Sequence, residues 1–382
     1  MKYKALKYSF FTILILIIIG GIYYFNLSNR HKAIVKKHIY HKLALVDNTW
    51  NISTQDSHIS LISPTLIIDN IYKSMEGPQA ISPFQVDNSK DELIWLTSFK
   101  TQVLDTNETN QLSNDFICHT NINIYDGEHY SRWNLNHRIG EQYPRLTSLS
   151  NGLESFKFPN GFGYPVFSNE NLFLTTQTLN HNIKSDAFSV KHKVNIGFQP
   201  HNISMKPLMS KNCFVMLPYD SNNPFKGPTE ANPNMCLPIE IKNHSYKNSN
   251  GESLSGHWVI FPGKATYSSN ITHQLQLKDS TSMHQIITHL HPFAESLAFR
   301  DKTIDSTIFI SKAENHKDRI GLKNIPVFSS EKGIMLYANH EYELVLNTNN
   351  TSGTNQDMMA SIFVFLYDKE MDEKLNTYNA NL

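Results

Sequence analysis

The run Thr288-His289-Leu290-His291-Pro292-Phe293 holds the residues best spaced to do chemistry. Successive side chains of a strand alternate faces, so His289 and His291 project together, their backbones about 7 Å apart. Two neutral imidazoles so placed can chelate one metal ion. The alternative is a histidine-rich strand facing solvent, because 18 histidines in 382 residues form some close pairs by chance. Gln285-Ile286-Ile287 before the pair and the alternating run from Phe293 to Phe299 predict the strand. Asp357-Met358-Met359 then leads into a second apolar strand ending at Tyr367, entered through Met358. A thioether is a soft, uncharged ligand, and a His2Met set suits copper cycling through Cu(I) better than zinc or magnesium. A core methionine is the alternative for Met358.

Four stretches arrive in a distinctive order: Gly256-His257-Trp258-Val259-Ile260-Phe261-Pro262-Gly263-Lys264, Ser268-Ser269-Asn270-Ile271-Thr272, the His289/His291 pair, and Thr354-Asn355-Gln356-Asp357-Met358. That order resembles the C-terminal domain of the copper type II, ascorbate-dependent monooxygenases, the peptidylglycine α-hydroxylating and dopamine β-monooxygenase group. The likeness spans residues 90 to 370 and is sharp only at these motifs. It implies His289, His291 and Met358 as ligands of the copper where oxygen is activated, with Met359 standing where the family has cysteine. It also implies a second copper in the first domain. The matching places here read Cys118-His119 and Leu179-Asn180-His181, and His119 alone is plainly retained. Cys118, His119 and His181 would still suit Cu(I). The alternative is a lost site with Cys118 a buried apolar residue, a departure that bears on any two-copper electron transfer.

These residues need a scaffold, and the chain opens with something else. Lys2, Lys4 and Lys7 precede an apolar run from Tyr8 to Phe25, long enough to cross a bilayer and without a small-x-small cleavage site after it. An uncleaved N-terminal anchor over residues 1–28 is expected, with a cleaved signal peptide as the alternative. Arg30, Lys32, Lys36 and Lys37 flank the run on its other side and leave its orientation open. Residues 29–60 read as a polar, solvated linker. Lysine plus arginine equals aspartate plus glutamate at 34 each, which offers no field for nucleic acid.

Low charge, abundant Asn, Ser and Thr, and many short β-branched or aromatic runs predict an all-β protein of two tandem jelly-roll-like β-sandwich domains, at 61–208 and 209–372, with a tail at 373–382. Strands are expected at Glu92 to Thr97, Phe116 to Ile124, Leu172 to Leu179 and Phe188 to Phe198. Cys213 and Cys236 bracket a Pro/Asn/Gly-rich loop and are the natural disulfide pair among three cysteines. A disulfide would place this region in an oxidising compartment, periplasmic or extracellular. His257 reads as structural or as a neighbour of the ligands rather than a ligand itself.

The expected function is therefore a membrane-anchored, exported copper protein. By resemblance it would use dioxygen and ascorbate, or another reductant, to hydroxylate an unknown small-molecule or peptide substrate. Two other readings stay open: a non-catalytic copper-binding or copper-handling protein, and a structural cell-surface β-sandwich with incidental histidines.

Overall fold

The computed structural model describes residues 2–141, 144–218, 250–252 and 254–381. Helix α1 (Lys2–Phe25) carries the apolar window Tyr8–Phe25, mean hydropathy 2.0, none of it buried against the rest of the protein. By length and composition it can cross a membrane. After it comes α2 (Asn29–Lys42), capped by the Ser28 hydroxyl, where the sequence reads as solvated linker. This helix is docked rather than free. Ala33 is buried, Lys36 Nζ lies 2.6 Å from Asp69, and Lys37 Nζ donates to the Gln79 carbonyl at 2.5 Å.

The first sandwich is built from β1 (Asn51–Gln55), β2 (His58–Ile62), β3 (Gln79–Phe84), β4 (Leu93–Leu104), β5 (Ile117–Ile124), β6 (Arg145–Ser150), β7 (Phe162–Phe167), β8 (Leu172–Thr178) and β9 (Phe188–Pro200), with a short helix, α3 (Asp126–Arg132), after β5. One sheet runs β1-β2-β9-β4-β7 and faces a second, β3-β8-β5-β6. The four expected strands are β4, β5, β8 and β9, and β1 and β2 extend the sandwich back into residues 51–60.

The second sandwich comprises β10 (Lys206–Phe214), β11 (Trp258–Ile260), β12 (Gly263–Asn270), β13 (Thr281–Leu290), β14 (Ala294–Asp301), β15 (Ser306–Lys312), β16 (Phe328–Leu336), β17 (Tyr342–Asn350), β18 (Gln356–Met358) and β19 (Ala360–Tyr367). Its sheets run β10-β19-β13-β16 and β12-β17-β14-β15, and β11 pairs with β18. The all-β, jelly-roll-like expectation therefore holds. β19 reads as a buried run because it is central, flanked by β10 and β13, and shows seven buried residues in eight.

The two sandwiches are joined by more than the chain. β10 meets β7 in parallel through two residue pairs, Lys206 with Phe162 and Pro207 with Gly163, which splices the two main sheets into one. A Cβ at Gly163 would be crowded there, 3.1 Å from the Leu96 carbonyl oxygen and 3.0 Å from the Met205 side chain. Phe158 of the first sandwich packs edge-on against Phe365 of β19, ring centroids 4.9 Å apart, and one hydrophobic core runs through both units. Burying each such ring contributes about 1.5–3 kcal/mol. Helix α4 (Lys369–Asn379) crosses back to set Tyr378 against Trp133 and Phe167. At its start Arg138 makes paired hydrogen bonds to Asp368 at 2.6 and 2.8 Å.

The expected Cys213–Cys236 disulfide is not found. Cys213 is a free thiol in β10, opposite Ile362 of β19, wholly buried in the core, and burial pushes its pKa up to about 12. Cys236 lies outside the described residues.

Candidate metal centre

Two ladders converge on one point. In the first, β13 pairs with β19, which sets His289 opposite Ser361 and carries the chain on to His291, whose amide donates to the Met359 carbonyl at 3.3 Å. In the second, β11 pairs with β18, which sets Val259 opposite Asp357 and brings His257 beside it. Alternation then sorts the three residues 357 to 359. Asp357 faces the histidines, Met358 turns into the hydrophobic core with no exposure, and Met359 turns back to line a cavity with His289 and His291.

The resulting cluster is compact. Asp357 Oδ2 lies 3.1 Å from His291 Nδ1 and 3.6 Å from His257 Nε2, and the three donor atoms all fall within 4.8 Å of one another. A metal with bonds of about 2.1 Å to a tetrahedral set needs donors about 3.4 Å apart, so the residues fit an ion with small adjustment. Asp357 is nearly enclosed. Burial alone raises its pKa, but the polar contacts with and the charges of His257 and His291 override this and hold the carboxyl well below the usual range.

His289 completes the group. Its ring stands 5.5 Å from that of His291 at 79°, and its Nδ1 is buried without a hydrogen-bond partner. A buried orphan nitrogen is uncommon and asks for a ligand or an ordered water. Burial, then the fields of His291 and His119, depress the His289 pKa well below the ordinary value. The ring is therefore neutral near pH 7 with a lone pair to give. Met75, which lines the cavity, holds left-handed backbone (φ 66°), as does Phe293 (φ 73°) two residues after His291, a strain that collects at functional sites.

The first-sandwich candidates reach the same place. Ser74 Oγ lies 3.3 Å from His291 Nε2 and 3.7 Å from Cys118 Sγ, and Cys118 Sγ lies 3.3 Å from His119 Nδ1. His119 lines the cavity with His289 and His291. His181 lies just past β8; burial lowers its pKa, and the charges of Asp357 and His291 both act on it. Two sites expected apart thus form one histidine-rich group across the interface. Met358 is the expected ligand that the fold directs elsewhere, while Asp357 and His257 join the cluster. The strand alternation of 357 to 359 carried a signal for Asp357; the pairing that brings His257 to it carried none.

The cavity measures about 30 Å³, the volume share of about one water molecule. It has room for an ion with a water.

No family model matches the chain, and no curated protein matches it. Among solved structures the chain is similar to the major capsid protein P2 of bacteriophage PM2, at 8% identity over 81% of this chain and 98% of that one, TM-score 0.29. It is also similar to a peptide-N(4)-(N-acetyl-β-D-glucosaminyl) asparagine amidase, at 11% identity over 80% and 96% of the two chains, TM-score 0.30. Likeness at this level bears on neither ligand nor activity.

Proposed function

We propose that this protein is a membrane-anchored, exported metal protein whose single centre is held by His257, His291 and Asp357, with His289 as the neighbouring imidazole. The observation that carries the reading is the donor triangle at the convergence of two strand ladders. Two imidazoles and a carboxylate suit a divalent first-row metal such as zinc, iron(II), manganese or copper(II). When bound, such an ion supplies Lewis acidity or redox capacity. The chain's own residues do the positioning. Asp357 fixes the His291 ring from one nitrogen and Ser74 meets it at the other, so the first sandwich helps to orient a second-sandwich imidazole.

A second reading keeps the copper monooxygenase that the sequence resembles. Its support is that His289 and His291 share one cavity with a thioether, that of Met359. In that case Asp357 orients His291 from behind. Hydroxylation would require the sandwiches to open enough to seat a substrate beside the metal. Copper holding without catalysis would require no such opening.

The test is metal analysis of the full chain in detergent after separate loading with zinc, anaerobic iron(II) and anaerobic Cu(I). One ion per chain, lost in Asp357→Asn and in His257→Ala but kept in Met358→Leu, supports the first reading. Cu(I) lost in His289→Ala and Met359→Leu, with Asp357→Asn costing about 10–100-fold, supports the second. Retention of no ion under any loading sinks both.

A further inference from the structure

A second cavity of about 150 Å³ lies between the sandwiches, and β10 separates it from the histidines. Alternation along β10 sends Asn212 and Phe214 to the histidine cavity and Met209 and Lys211 to this one. The wall joins apolar surface, from Met209, Leu277 and the ring of Tyr130, to the cations of Arg138 and Lys211. A cavity of about 150 Å³ is the size that accepts benzene, so a small organic molecule fits.

The cations differ in what faces them. Arg138 is committed to Asp368 at 2.6 Å and Glu370 at 2.8 Å, and Lys278 stands 3.7 Å from Glu141. Lys211 is half-buried and, among the described residues, has no carboxylate within ion-pairing distance. Burial holds its pKa below the ordinary lysine value; Cys213 and, from farther off, Glu141 and Asp368 oppose this, and the Arg138 guanidinium reinforces it. An unpaired ammonium taken out of water sheds its proton more readily, and a desolvated amine beside another cation is an activated nucleophile.

We propose that Lys211 is a reactive amine that captures small aldehydes or ketones as imines. The Nζ lone pair attacks the carbonyl carbon and a C–N bond forms. The carbonyl oxygen then departs as water, carrying both protons of the free amine, and leaves a C=N bond. Nothing is oxidised or reduced. The inference stands apart from the metal centre, with which this cavity shares no residue.

The test uses the full chain in detergent, exposed at pH 7 to benzaldehyde with cyanoborohydride to trap the imine, followed by peptide mass mapping. Lys211 is expected to gain a benzyl group about tenfold or more faster than the exposed lysines. Benzyl alcohol, which fills the cavity but cannot condense, is expected to slow Lys211 alone. Labelling that simply follows surface exposure, with Lys211 among the slow sites, overturns the proposal. So does a benzyl alcohol effect equal at all lysines. Lys211→Arg keeps a cation in place and is expected to fold and lose only the fast site.

Discussion

Cys118-His119 in the first sandwich and His289-Leu290-His291 in the second offer similar donors, yet the fold equips them differently. The second group is fixed at three points, by the β13–β19 ladder, by the β11–β18 ladder and by the Asp357 carboxylate. In the first, Cys118 Sγ meets Ser74 and His119 and accepts from the Met75 amide at 3.5 Å. A soft or imidazole donor holds a metal best when its direction is fixed by contacts around it. On the proposed reading the binding free energy would reside in the second sandwich, with the first in an orienting role.

That assignment can be broken most directly by affinity. His291→Ala or Asp357→Asn is expected to weaken the preferred metal by more than about 100-fold, whereas His119→Ala and Cys118→Ser weaken it by less than about 10-fold, read by competition with a chromophoric chelator. Equal losses from both sandwiches would make the centre a shared one. Next in size is the clasp that keeps the halves together. Arg138→Ala leaves the buried Asp368 carboxylate without its partner, and the expected loss is about 3–5 kcal/mol in urea unfolding, with metal affinity falling in parallel.

A smaller effect belongs to the first sandwich alone. His192 is fully enclosed, and burial holds its pKa at about 4. The unfolded chain takes up a proton near pH 6.5 that the folded chain refuses until about pH 4. Stability is thus complete above about pH 6.5 and falls by about 3 kcal/mol as the pH drops to 4. His192→Gln is expected to flatten that window in urea titrations at pH 7 and pH 4.5. Smallest of all, Cys118→Ser is expected to shift metal-free stability by about 1 kcal/mol or less, since Ser74 and the Met75 amide can still bond the replacement oxygen.

How much of this could be read from the chain differs by residue. The strands around Trp95, Ile122, Leu174 and Val194 were legible because β-branched and aromatic runs punctuated by Asn, Gly and Pro specify strands locally. The shared face of His289 and His291 followed from the period of two. Met358 and Met359 differ by that same single step, and which of them faces the histidines depends on the register of β18 against β11, a long-range choice. His257 and Asp357 sit 100 residues apart, and no local pattern predicts their meeting. α2 carried a helix signal in Ser28, but its docking through Lys36 and Asp69 belongs to tertiary structure. The expected disulfide failed because Cys213 alternates into the core.

The two-pair splice between β7 and β10 has a mechanical meaning. One of its four residues is Pro207, which has no amide to donate, and its partner Gly163 brings no side chain to stiffen the contact. A sheet joined by so little backbone is compliant across that line while rigid along its strands. Load passing from one sandwich to the other is then borne by side chains: the Arg138 fork, the Phe158–Phe365 contact and the Ser74–His291 bond. On the proposed reading an ion seated on His291 would tighten the last of these struts, and metal occupancy would be coupled to the stiffness of the whole molecule at a single imidazole.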